Sequence, residues 1–127
     1  QKPELVTYLQ DKNIEITAYS SLVPLSTWRH KKGENSLKTD EMHKDGRNSH
    51  SLFKILATKY NVTEAQILLK WALQLNYAIL PKSINIPRMQ NNFNLSFTLD
   101  SDDMKLIKDQ NRGESITWAY GDPLKVI

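Results

Sequence analysis

Lys82, Ser83, Asn85, Arg88, Asn91 and Asn92 follow a short apolar run, Tyr77 to Leu80, and the helix breaker Pro81. Two cations, a hydroxyl and amides at the start of a helix suit a phosphate, because the first N–H groups and the helix dipole favour an anion there. A guanidinium such as Arg88 can stack on an adenine or fork onto a phosphate, and Lys82 adds a mobile point charge. Asn91 and Asn92, one turn beyond Arg88, can reach a base edge. The residues also fit an ordinary helix start with solvated polar side chains, although two cations there oppose the dipole unless an anion is bound. A second group, Ala18-Tyr-Ser-Ser-Leu22, ends an alternating segment that begins at Ile14. Tyr19 can stack on a flat cofactor ring and Ser20 can donate to a phosphate oxygen. Equally, Tyr19 can pack under a loop while the serines cap the turn.

The elements that would position these groups follow from periodicity. Leu5, Tyr8 and Leu9, with Pro3 in the first turn, predict a helix over Pro3–Lys12. Ile14–Tyr19 predicts a strand, and Leu52, Phe53, Ile55 and Leu56 predict a helix to about Tyr60. Thr63 with Gln66 is a capping box that opens a strongly apolar helix through Ile67, Leu68, Trp71, Ala72 and Leu75, which places Trp71 in the core. Tyr77–Leu80 predicts a buried strand, about Pro87 to Phe93 a helix, and Asp100 with Asp103 the start of a last helix. Residues 28–50 mix charges, glycines and all three histidines and read as a long surface loop; residues 112–127 read as an irregular tail. Strand, helix, helix, strand, helix is a parallel α/β order. Two parallel strands need neighbours that the chain does not supply, so a partner for the sheet is expected.

Composition narrows the function. The 127 residues suit one domain with a modest core, and 39% of them are apolar. Lys plus Arg exceed Asp plus Glu by 17 to 14, a small and scattered excess that disfavours a helical nucleic-acid binder. No cysteine is present, which excludes disulfides and thiolate metal sites. His30, His43 and His50 lack ligand spacing, and Asp100, Asp102 and Asp103 lack the glycine and glutamate of a calcium loop. No run approaches the roughly 18 apolar residues of a membrane span, and the protein is expected to be soluble and cytoplasmic. Gln1 in place of Met suggests a fragment or a processed product.

In order along the chain, these motifs resemble the aldo-keto reductases. Pro3–Ile14 looks like the family's sixth barrel helix and Ala18-Tyr-Ser-Ser-Leu22 like its seventh strand. Tyr60–Gln74 is similar to the helix that follows, and Ile79-Leu-Pro-Lys-Ser83 with Arg88 and Asn92 resembles strand eight and the adenosine-phosphate site. Phe97-x-Leu-x-x-x-Asp-Met104 and Thr117-Trp-Ala-Tyr-Gly-Asp-Pro123 resemble late motifs of short-tailed fungal, protist and bacterial members. The resemblance implies a partial (β/α)8 TIM barrel: its C-terminal, cofactor-binding portion, strands seven and eight with their helices. It implies NADP(H) as cofactor and a small carbonyl compound as substrate.

Position by position, the resemblance gives Tyr19 the nicotinamide ring and Ser20 and the Leu22 backbone the pyrophosphate. Lys82, Ser83 and Asn85 would surround the 2′-phosphate, Arg88 would cover the adenine and help hold that phosphate, and Asn92 would meet the adenine edge. Val23 and Pro24 depart from the family's usual Gly and phosphate-contacting residue, and Asn91 replaces a frequent Glu at the adenine amino group. A whole barrel takes about 250 residues, and the family's catalytic Asp, Tyr, Lys and His fall in the part without a counterpart here. No catalytic residue is therefore assigned, and the chain alone is expected to be inactive. The other reading is a short non-catalytic protein with a degenerate nucleotide-binding or protein-interaction surface.

Overall fold

Thr63 and Gln66 form the predicted capping box. The Gln66 N–H donates to Thr63 Oγ1 at 3.3 Å, and the Thr63 N–H donates to Gln66 Oε1 at 2.9 Å. Two donors that a helix start leaves open are thereby satisfied locally. The computed structural model describes residues 1–25 and 50–111. The long loop and tail expected at 28–50 and 112–127 lie outside the described residues, apart from position 50. In chain order the elements are α1 (Pro3–Asp11), β1 (Thr17–Ala18), a 3-10 turn (Val23–Leu25), α2 (Leu52–Tyr60), α3 (Glu64–Gln74), β2 (Ala78–Ile79), α4 (Ile86–Phe93) and α5 (Ser101–Lys108).

α2 and α3 form a hairpin around a turn at Asn61, whose φ of 53° is a conformation asparagine tolerates well. Their facing side chains build the core: Leu56, Ala57 and Ile67 close on Leu99 and Ile107, with Phe53, Trp71, Phe97 and Met104 at its margin. Trp71 is therefore half-buried, because its indole N–H reaches out to donate to the Met104 carbonyl at 3.2 Å.

The predicted strands shrink to a two-residue parallel ladder, Thr17 opposite Ala78 and Ala18 opposite Ile79. One further bond, Ala78 N–H to the Ile16 carbonyl at 2.8 Å, precedes it. The run Tyr77–Leu80 is also not the buried strand its composition suggests: Leu80 is 80% exposed. The physical reason is that neither strand has a second neighbour among the described residues to extend the ladder or cover its faces. No helix among the described residues is long and apolar enough to cross a membrane.

The α2–α3 hairpin is joined to the start of α5 by a polar cluster. Lys59 Nζ lies 2.7 Å from both Asp100 Oδ2 and Asp103 Oδ2, and the Tyr60 hydroxyl donates to Asp103 at 2.6 Å. Asp100 caps α5 by accepting from the Asp103 N–H at 2.8 Å, as the sequence predicts. The Lys59 ammonium and that N–H hold the Asp100 carboxyl down at about 2. Asp100 therefore stabilises the fold fully above its ordinary value near 4, and the contribution fades as pH falls through about 2. Replacing Lys59 by Met should move the acid loss of helicity to higher pH, by far-ultraviolet dichroism at low salt. Superimposable acid titrations of the two proteins would show that the cluster contributes nothing.

Candidate functional site

Because β1 and β2 are parallel and in register, the chain leaves both strands at the same end. Tyr19–Leu22 follows β1 there, and Pro81–Arg88 follows β2 on its way into α4. The two groups of candidate residues, far apart in sequence, thus emerge from one end of the sheet. This is the arrangement in which α/β folds collect ligand-binding residues.

After β1 the backbone reverses sharply at Ser20, whose φ is 54°. The Ser20 carbonyl then accepts from the Val23 N–H at 3.0 Å, and the Ser21 hydroxyl donates to the Ala18 carbonyl at 3.4 Å. These bonds lead into the 3-10 turn Val23–Leu25. Positive φ falls on Ser20 and not on Val23, so a glycine is not needed at position 23. Tyr19 is 65% exposed.

After β2, Ser83 Oγ accepts from the Asn85 N–H at 3.1 Å and donates to the Asn85 carbonyl at 3.3 Å. Asn85 is the N-cap of α4, its Oδ1 accepting from the Arg88 N–H at 3.0 Å. Pro87 lacks an N–H, and the Met89 N–H bonds the Asn85 carbonyl at 3.0 Å. Of the N–H groups at this helix start, Pro87 contributes none and those of Arg88 and Met89 are already bonded, which leaves that of Ile86. Beside the Ile86 N–H, an anion placed here would meet the charges of Lys82 and Arg88 and the helix dipole. No acidic residue stands in the first turn to oppose it. Lys82, Arg88 and Asn91 are exposed, whereas Ser83 and Asn92 are half-buried. Asn85, Arg88 and Asn92, at i, i+3 and i+7, share one side of α4.

Three polar side chains hold the segment that leaves this helix; the sequence marks Gln66 only as the capping partner of Thr63 and gives Lys70 and Gln74 no role. Gln66, Lys70 and Gln74 lie at i, i+4 and i+8 on α3. Gln66 Nε2 donates to the Asn94 carbonyl at 2.7 Å, and Lys70 Nζ to the Leu95 carbonyl at 3.0 Å. Gln74 donates to the Leu99 carbonyl at 3.0 Å and accepts from its N–H at 2.7 Å. The segment that leaves α4 is thus tied to the hairpin. The available signal was a polar stripe of helical period inside an otherwise apolar helix.

Other candidates separate from this end. The Tyr60 phenol is pushed up by burial and by its bond to Asp103, a structural role, and burial raises Tyr77 as well. Among the described residues no three His, Cys, Asp or Glu side chains cluster as a metal site. His30, His43, Trp28 and Trp118 lie outside the described residues.

The profile of the Aldo/keto reductase family matches residues 1–112. The chain belongs to that family. It is similar to a probable NAD(P)H-dependent D-xylose reductase of Aspergillus flavus, 35% identical over 97% of this chain and 36% of the relative. It is also similar to the 4-dihydromethyl-trisporate dehydrogenase of Mucor mucedo, at 35% identity over 94% of this chain and 37% of that protein. Among solved structures it resembles MGS-M4, an aldo-keto reductase from a deep-sea metagenome library of the Medee basin. The TM-score is 0.71 at 28% identity, covering 94% of this chain and 39% of that one. It resembles a Gox0644 variant in complex with NADPH at TM-score 0.67 and 26% identity, over 89% of this chain and 35% of that one. The chain therefore spans little more than a third of the length of the curated relatives it matches. These aldo-keto reductase structures imply a (β/α)8 barrel, of which the described residues form a partial α/β unit with two parallel strands.

The cap generates a local prediction. Asn85→Ala should destabilise α4 by about 1 kcal/mol, and Asn85→Gly by only a few tenths. Because α4 buries no residue of its own, the loss should appear as faster amide exchange at Met89–Phe93 while α2 and α3 keep their protection. Unchanged exchange in α4 would mean that the Asn85 side chain does not hold the helix start.

Proposed function

We propose that this chain is the C-terminal, cofactor-binding portion of an NADP(H)-dependent aldo-keto reductase that reduces aldehydes or ketones to alcohols, with β1 and β2 as the barrel's seventh and eighth strands. The observation that carries this reading is the parallel register that brings the segment after Tyr19 and the cationic start of α4 to one end of the sheet. Family membership and the NAD(P)H-dependent relatives support it.

When bound, the nicotinamide would supply hydride to the substrate carbonyl. The residues of this chain would bind and orient. Tyr19, exposed at the strand end, would offer its ring face to the nicotinamide, and the Ser20 hydroxyl and Leu22 backbone would meet the pyrophosphate. Lys82 and Arg88 would neutralise the 2′-phosphate beside Ser83 and Asn85, whose own bonds hold the turn in shape. Asn91 and Asn92 would face the adenine, with Arg88 across its ring. The proton donor to the carbonyl would come from the part of the barrel that this chain does not span.

Two measurements test the reading. In the complete enzyme, Arg88→Ala and Lys82→Ala should each weaken NADPH binding by about one to two powers of ten, since a charge-assisted hydrogen bond contributes roughly 1.5–3 kcal/mol. NADH lacks the 2′-phosphate and should lose far less, and the difference should shrink as salt rises. Equal losses for the two cofactors would assign both residues to general packing. Separately, this chain alone should not turn over a reactive aldehyde with NADPH, because general acid help of about 10²–10⁴ in rate is missing. Turnover abolished by Tyr19→Ala would overturn that assignment.

A further inference from the structure

The two ends of α4 are held in different ways. At its start, the bonds of Ser83, Asn85, Arg88 and Met89 are made within residues 83–89, so they shape the turn without tying it to the rest of the chain. At its far end a bond reaches across from α3. Gln66 Nε2 donates to the Asn94 carbonyl at 2.7 Å. Asn94 is the C-cap of α4, and its own N–H closes the last turn on the Gln90 carbonyl at 2.9 Å. The donor is anchored in its turn. Gln66 is 4% exposed, and its Oε1 accepts from both the N–H and the hydroxyl of Thr63, each at 2.9 Å. A buried amide engaged at both its oxygen and its nitrogen does not follow a helix that shifts, so this bond sets where α4 ends.

We infer that Gln66 is a positioning residue for the nucleotide: without touching the cofactor, its bond to Asn94 holds the last turn of α4 where Asn91 and Asn92 would meet the adenine. The inference rests on the cofactor-binding reading given above. Asn91 and Asn92 lie between Gln90 and Asn94, inside the turn that this bond secures. α4 buries no residue of its own, so apolar packing does not fix that turn separately. The role differs from that of the cations. Lys82 and Arg88 would answer to the 2′-phosphate, which NADPH carries and NADH lacks, whereas the adenine is common to both. Loss of the Gln66 bond should therefore weaken the two cofactors alike. If α4 then keeps its binding-competent placement in about one tenth of the molecules, either affinity falls about tenfold.

The test separates the two ends of the Gln66 amide in the complete enzyme. Gln66→Glu keeps the acceptor that a capping box needs but loses the N–H donor to Asn94. Thr63→Ala removes the capping hydroxyl and leaves that donor in place. Thermal unfolding, titration with NADPH and with NADH, and amide exchange without nucleotide are measured for each. Both variants should lose stability. Gln66→Glu alone should weaken NADPH and NADH, each about tenfold, with faster exchange over residues 90–94. Gln66→Met, neutral and of similar length, should show the same loss and covers the case in which the buried carboxylate prevents folding. Unchanged affinities in a folded Gln66 variant, an equal loss in Thr63→Ala, or a loss confined to NADPH would each overturn the inference. Selective loss of NADPH in Arg88→Ala, with both cofactors indifferent to Gln66, would sink only the positioning role. Equal losses in Arg88→Ala, with the tenfold effect at Gln66 intact, would sink only the phosphate reading.

Discussion

The placement of the segment between α4 and α5 depends on side chains of α3 that bond to backbone. Residues 94–100 form no helix or strand, so their peptide groups need partners from elsewhere. Gln66, Lys70 and Gln74 supply them, each one turn further along α3. Gln66 is almost fully buried, and its amide is satisfied at both ends, by Asn94 and by the cap at Thr63. Removing such a group would leave buried donors and acceptors without partners, a larger loss than the bond's own net worth. Lys70 adds a second contact, its ammonium 5.9 Å from the centre of the Phe97 ring. The apolar core forms on this scaffold, since Leu99 is held by Gln74 where it can reach Leu56 and Ile67.

How much of this was legible in the sequence depended on distance along the chain. The caps at Thr63 and Asp100 involve partners three residues away and are plain in the amino-acid order. The helices fall close to their predicted limits for the same reason. The Lys59 cluster joins residues more than forty positions apart, and nothing in either local pattern announces it. The strands were overestimated because a strand is a property of a pair. Ile14–Tyr19 and Tyr77–Leu80 have strand composition, but a ladder extends only where a neighbour accepts its bonds.

The candidate site divides in the same way. Strand-end position and charge drew attention to Tyr19, Ser20, Lys82 and Arg88 from the sequence alone, while their individual roles toward a cofactor came from family resemblance. The parallel register added what neither could supply, a common end for two segments sixty residues apart. The local hydrogen bonds narrow the proposed anion site, because the side chains of Ser83 and Asn85 are spent on shaping the turn. On the proposed reading, the charges of Lys82 and Arg88, with the Ile86 N–H, are what remains for a phosphate.

The cationic helix is also among the least anchored parts of the described structure. α2 and α3 share a core, but α4 buries no residue and is held by its cap, the ladder behind it and the Asn94 bond beyond it. A ligand that must order such an element spends part of its interaction free energy on that ordering. Anything that covers the exposed Ile86, Met89 and Phe93 side chains reduces this cost, because it fixes the helix before the ligand arrives. By linkage, a ligand that orders α4 would favour the covered state to the same degree. The two sides of α4 are therefore not independent surfaces: eight residues carry both, and neither can be ordered without helping the other.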